Sequence, residues 1–125
     1  MNLKEIKLKC MDLFYFYVDV DIASGDFVDY EISFAKLYTY NFRELSEIEK
    51  AVLCFTIIIR FAKSGMVLRT HSDIELETYK AIEYVEKSGL PELNQNDRNE
   101  LLEDLDEVTD YLEWADEKRK EKGKL

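Results

Sequence analysis

The sequence predicts an all-α fold, a single-domain bundle of about five helices spanning residues 1–125. Three observations predict it. Apolar residues recur every three or four positions in several long segments, the spacing of a buried helical face. Glycine and proline are scarce, at four and one in 125 residues, which disfavours a turn-rich β architecture. Two serines stand three residues before a glutamate, at Ser46 and Ser72, the pattern that opens a capped helix. A chain of this length suits one domain. It carries enough aromatic and aliphatic residues to exclude disorder.

The first helix is expected from about Asn2 to Ala23. Leu3, Ile6, Cys10, Leu13, Tyr17 and Val20 step along one face, leaving a narrow polar strip of Glu5, Asp12 and Asp19. A helix apolar on most sides belongs at the centre of a bundle. The alternating run at 14–22 leaves a strand as the rival reading there. Ser24-Gly25 ends the element in either case. Tyr30, Phe34, Leu37 and Tyr38 suggest a second helix over about 29–40, in a stretch whose rings also suit a strand.

The third helix opens at Ser46, whose hydroxyl is placed to accept from the Glu49 N–H while Glu49 reaches back. Ile48, Val52, Phe55, Ile59 and Ala62 form one face, Leu53, Ile57 and Phe61 much of another, and Gly65 stops it. Ser72 opens the fourth, in which Ile74, Thr78, Ala81, Ile82 and Val85 give a one-sided helix closed by Gly89. The loop GLPELNQN follows, with Asn96 as the expected N-cap. The last helix buries Leu101, Leu105, Val108, Leu112 and Ala115, and is expected to fray into a basic tail at 118–125.

Several function classes are disfavoured. Cys10 and Cys54 lie inside apolar helical patterns and read as buried free thiols in a reducing compartment. MNLKEIKLKCMDLFYF sets basic residues before an apolar run, but Glu5 and Asp12 interrupt it and no small-residue cleavage site follows, so no signal peptide is expected. The longest apolar run, residues 51–59, is too short for a membrane span. A cytoplasmic, soluble protein is the expectation. The single histidine, His71, has no companion for zinc and no nucleophile elbow beside it. DVDIASGD misses the calcium-loop register, because Gly25 falls at position seven and Tyr30 at twelve. No catalytic residue, metal or cofactor is expected. Nucleic-acid binding is disfavoured, since phosphate contacts need clustered cations and the net charge is −10.

The acids themselves are unevenly placed. Residues 66–125 hold seventeen acids against nine bases, and ten acids against Arg98 alone lie between Asp97 and Glu117. At about 100° per residue, the apolar seam of the last helix leaves Glu103, Asp106, Glu107, Asp110, Glu113 and Glu117 facing outward. Trp114 shares their stripe. Either it is an exposed anchor among carboxylates, or another helix or a wider seam covers it. A second acidic group, Asp19, Asp21, Asp26, Asp29, Tyr30 and Glu31, has no cation between Lys9 and Lys36 to offset it. It reads as a second partner surface or as a solvated turn. Unpaired like charges cost stability through self-repulsion, and aromatic residues are frequent binding anchors. The two together suit a basic protein partner.

In size, charge and surface type the whole chain resembles the immunity proteins of bacterial toxin systems, including those of contact-dependent growth inhibition. The resemblance implies one-to-one binding and neutralisation of a cognate basic toxin domain, often a nuclease, with no catalysis and no cofactor. That class has many unrelated folds, so it implies neither a fold nor contact residues. Two further readings are a helical adaptor or regulatory subunit whose acids confer solubility, and a DNA mimic with two aligned rows of charge.

Overall fold

A computed structural model describes residues 2–17, 37 and 42–123. The described residues form four α-helices and one 3-10 turn: α1 Leu3–Tyr17, the turn Phe42–Glu44, α2 Glu47–Ser64, α3 Asp73–Ser88 and α4 Gln95–Gly123. The all-α expectation holds for them. The helix expected over about 29–40 lies outside the described residues except at Leu37, which is buried in the core. The rival strand at 14–22 is excluded as far as Tyr17, where α1 is helical. The remainder of that stretch lies outside the described residues.

The centre of the bundle is α2, against which α1, α3 and α4 all pack. Its sequence explains the position. Ala51 to Ile58 is apolar in every direction but that of Thr56, and Thr56 returns its hydroxyl to Val52 O at 2.8 Å. Val52, Leu53, Cys54, Phe55, Ile57, Ile58 and Phe61 are at most 1 % exposed. Burying each such side chain stabilises by about 1.5–3 kcal/mol relative to leaving it in water. Both thiols are buried and free. Burial pushes the Cys10 thiol up to about 12, and its S–H donates to Glu49 O at 3.4 Å.

The ends of α2 are set locally, as the sequence predicts. Ser46 accepts from the Glu49 N–H at 3.3 Å and the Glu49 carboxylate accepts from the Ser46 N–H at 2.9 Å. Gly65 closes the helix in the left-handed conformation, φ 75°, which costs a glycine least. Glu49 is nearly buried and also meets Lys9 Nζ at 2.6 Å, tying α1 to α2. Burial alone would raise the Glu49 pKa, but its hydrogen bonds from Lys9 and Ser46 and the Lys9 charge outweigh burial and hold it below the usual carboxylate range.

Three expectations are corrected. Asn94, not Asn96, caps α4: its Oδ1 accepts from the Asp97 N–H at 2.8 Å, and Asn96 is already in the helix. The physical reason is that Asn94 satisfies the first turn twice, its carbonyl also accepting from the Arg98 N–H at 3.0 Å; Asp97, in that turn, receives the Leu3 N–H on its Oδ2 at 3.1 Å and joins α4 to the start of α1. Ala62 is exposed rather than part of a buried α2 face, because it lies at the outer edge of the seam between α2 and α4. Finally, the segment 118–123 is helical rather than frayed. Arg119 holds it: Nη1 donates to Leu68 O, and Nη2 meets Glu75 Oε2 at 3.0 Å. Glu75 is 5 % exposed. Its other oxygen accepts from the His71 N–H at 3.1 Å instead of returning to Ser72, so Ser72 caps α3 without a reciprocal bond.

Candidate functional site

The acidic face of α4 follows from the helix period. Leu101, Leu105, Val108, Leu112 and Ala115 are buried, as their spacing predicts, and Tyr111 joins them at 4 % exposure. The opposite side is left to Glu103, Asp106, Glu107, Asp110, Glu113 and Glu117, all exposed. From Glu103 to Glu117 the row runs about 21 Å along the axis. None of the six forms an ion pair with a described residue. Several acids elsewhere are neutralised: Lys7 meets Asp104 at 2.8 Å and Glu100 at 3.5 Å, Lys87 meets Glu83 at 2.6 Å, and Lys80 meets Glu77 at 3.2 Å. Burial alone would lower the Lys7 pKa; hydrogen bonds and charge from Asp104, with Glu100, outweigh it and raise it. The contrast separates charge used to join α1 to α4 from charge left facing solvent.

Trp114 lies in that row at 36 % exposure. The indole is neither wholly covered nor wholly open. The seam is wider than its aliphatic residues, because Tyr111 belongs to it, and one side of the indole rests on that ring. The two centroids are 5.7 Å apart with planes at 43°. Tyr111 is itself fixed. Phe61 of α2 stands 6.3 Å away on the core side. The Tyr111 hydroxyl donates to Met66 O and accepts from the Leu68 N–H at 2.9 Å. Burial pushes that phenol up to about 12, so it stays neutral and keeps donating. The tryptophan is therefore half exposed on a rigid floor.

Beside Trp114 is an open depression of about 350 Å3, walled by Tyr111, Trp114, Ala62 and Gly65 and rimmed by Glu107 and Asp110. Glu107 also borders a second depression of about 350 Å3 between α1, α2 and α4, where Lys7, Arg60, Lys63 and Asp104 meet. Among the predicted site residues the structure thus brings Trp114, Asp110 and Glu107 to one place. Glu103, Asp106 and Glu117 lie along the same face outside these two depressions. Asp19, Asp21, Asp26, Asp29, Tyr30 and Glu31 lie outside the described residues. Tyr111, Ala62 and Gly65 were not read as site residues. Tyr111 had a signal, standing three residues before Trp114 and four after Glu107, spacings that share a helix face. Ala62 and Gly65 had none, since they come from another helix.

Among the described residues no cluster of His, Cys, Asp and Glu is arranged to hold a metal ion. No helix there is long and apolar enough to cross a membrane. Comparison of the chain with known protein families, curated proteins and solved structures found no match.

Proposed function

We propose that this chain is an inhibitor of the bacterial immunity type, acting in the cytoplasm without catalysis, that binds a cognate basic toxin domain of the nuclease kind one to one. The observation that carries this reading is the acidic face of α4: six exposed carboxylates that form no ion pair with a described residue, around a tryptophan 36 % exposed on a fixed floor. Nuclease active sites bind phosphates with lysine and arginine. A row of carboxylates pairs with those cations, and the indole supplies the apolar anchor that charge alone lacks. Long-range attraction would speed encounter, and the anchor would slow dissociation. Duplex mimicry needs two aligned rows of charge; beyond the α4 row, the exposed acids that form no ion pair with a described residue are Glu5 and Asp12 on α1, Asp73 and Glu86 on α3, and Glu44 and Glu92 outside the α-helices. On α3, Glu77 and Glu83 pair with lysines of the same helix and Glu75 with Arg119.

A second reading has one observation in its favour. Leu76 and Tyr79, exposed at 47 % and 49 %, share a face of α3 and would suit an adaptor that docks through apolar contacts. The deciding experiment is capture from a native lysate at low and high salt, followed by assay of what is captured. The inhibitor reading expects one basic protein, released by salt, whose enzymatic activity is lost on adding an equimolar amount of this chain. A salt-indifferent partner whose activity is unchanged would replace that reading with the adaptor.

A further inference from the structure

The geometry points to the depression beside Trp114 as a pocket for a single arginine side chain of the partner. This rests on the inhibitor reading above and specifies the chemistry of its central contact. At about 350 Å3 the depression lies at the small end of ligand sites, near 300 Å3, a size for one side chain rather than a cofactor. Its walls are the indole of Trp114 and the edge of Tyr111. Its rim carries Glu107 and Asp110, which have no ion pair among the described residues. The remaining wall is the last turn of α2, where the aligned peptide dipoles place partial negative charge. A cation is therefore favoured from three sides. Lys63, in that same turn, and Lys7 and Arg60 across the neighbouring depression are like charges on the far side of Glu107. Neither lysine forms an ion pair with Glu107 or Asp110, and Asp110 is the carboxylate farther from these cations.

The shape of the site selects among cations. A divalent ion prefers a cage of oxygens, and the aromatic walls supply none. An ammonium group is a compact, strongly hydrated point charge. A guanidinium is planar, more weakly hydrated, stacks on an indole face and presents a fork of donors to carboxylates. Glu107 and Asp110 stand three residues apart on the helix surface, within reach of one such fork. The floor is ready before binding, because Phe61 and the two backbone bonds hold Tyr111, so little ordering is left to oppose association.

Trp114 is the only tryptophan in the chain, so its indole N–H resonance in 15N-labelled protein reports this site alone. N-acetylarginine methylamide would be titrated at constant ionic strength beside its lysine and citrulline counterparts. The expected result is a saturable shift with arginine, at a Kd on the order of 1–10 mM, at least about threefold weaker binding of lysine, and no saturable shift with neutral citrulline. The double variant Glu107→Gln/Asp110→Asn, exposed at both positions and so expected to fold, should weaken arginine binding at least about fivefold. Lys63→Gln should tighten it. Equal responses to arginine and citrulline, or to arginine and lysine, would overturn the assignment. So would unaltered capture of a basic partner by the double variant, and that outcome would leave the inhibitor reading standing. If no basic partner exists, that reading fails while the titration still decides the pocket.

Discussion

Replacing Arg119 by alanine tests the part of the structure least visible in the sequence. The guanidinium joins the C-terminal half of α4 to Leu68 O and to Glu75 Oε2, at 3.0 Å for the latter. Its side chain is 17 % exposed and that of Glu75 7 %. Removing one partner of a fully buried pair costs about 3–5 kcal/mol, and of an exposed pair about 0–1 kcal/mol. Two features reduce the cost here. Glu75 keeps the His71 N–H and the favourable N-terminal end of α3, and Arg119 Nε is buried with no hydrogen-bond partner. The loss should therefore be about 2–3 kcal/mol. Against a total stability of about 5–15 kcal/mol the variant remains folded, so urea unfolding measures it. With a slope of about 1.5 kcal/mol per molar, the midpoint should fall by about 1.3–2 M. The double variant Glu75→Gln/Arg119→Met should cost clearly less than the two single changes added together, with a coupling of about 1–3 kcal/mol. A shift of Arg119→Ala within about 0.5 kcal/mol of zero, the range of ordinary surface changes, would refute the reasoning. It would mean that 118–123 frays in solution and Glu75 is hydrated.

Three further outcomes are expected. Trp114→Ala should cost about 1–2 kcal/mol of stability by removing the ring that rests on Tyr111, leave the chain folded, and raise the dissociation rate from the partner at least about tenfold, or 1.4 kcal/mol; unchanged affinity in the folded variant would remove Trp114 from the interface. Reversing Glu107 and Asp110 to lysine should chiefly slow association and flatten its salt dependence, and stopped-flow rates independent of salt in the parent chain would contradict the steering argument. The Glu49 carboxyl titrates below its unfolded value near 4.3, so its contribution is present above that pH and is lost as pH falls through the folded value. Glu49→Gln should accordingly be less stable by about 1–3 kcal/mol at pH 7, with the gap to the parent closing in acid. A gap that persists after both carboxyl forms are protonated would show that charge is not what holds the α1–α2 junction.

The local features of the fold were legible because their causes are local. A hydroxyl three residues before a glutamate fixes the start of α2, and a glycine free to take positive φ fixes its end at Gly65. The period of 3.6 residues both buries Leu101, Leu105, Val108, Leu112 and Ala115 and exposes Glu103, Asp106, Glu107, Asp110, Glu113 and Glu117. Those facts need only one helix, and they include most of the candidate site. The site's depth needed two. Whether Trp114 would be covered or open depended on where the last turn of α2 came to rest, and Ala62 and Gly65 are separated from it by about fifty residues of chain. The same holds for Arg119. Locally it meets Asp116, three residues earlier, at 3.6 Å; its buried partners come from the loop at Leu68 and the first turn of α3. Asn94 rather than Asn96 caps α4, and Asp97 in the turn it opens meets the amide of Leu3 across the bundle. The sequence by itself determined which side of each helix is apolar, since that is a property of spacing. Which polar groups meet across helices was decided by the tertiary structure, because hydrogen bonds and ion pairs form only where packing brings distant backbone and side chains within about 3 Å.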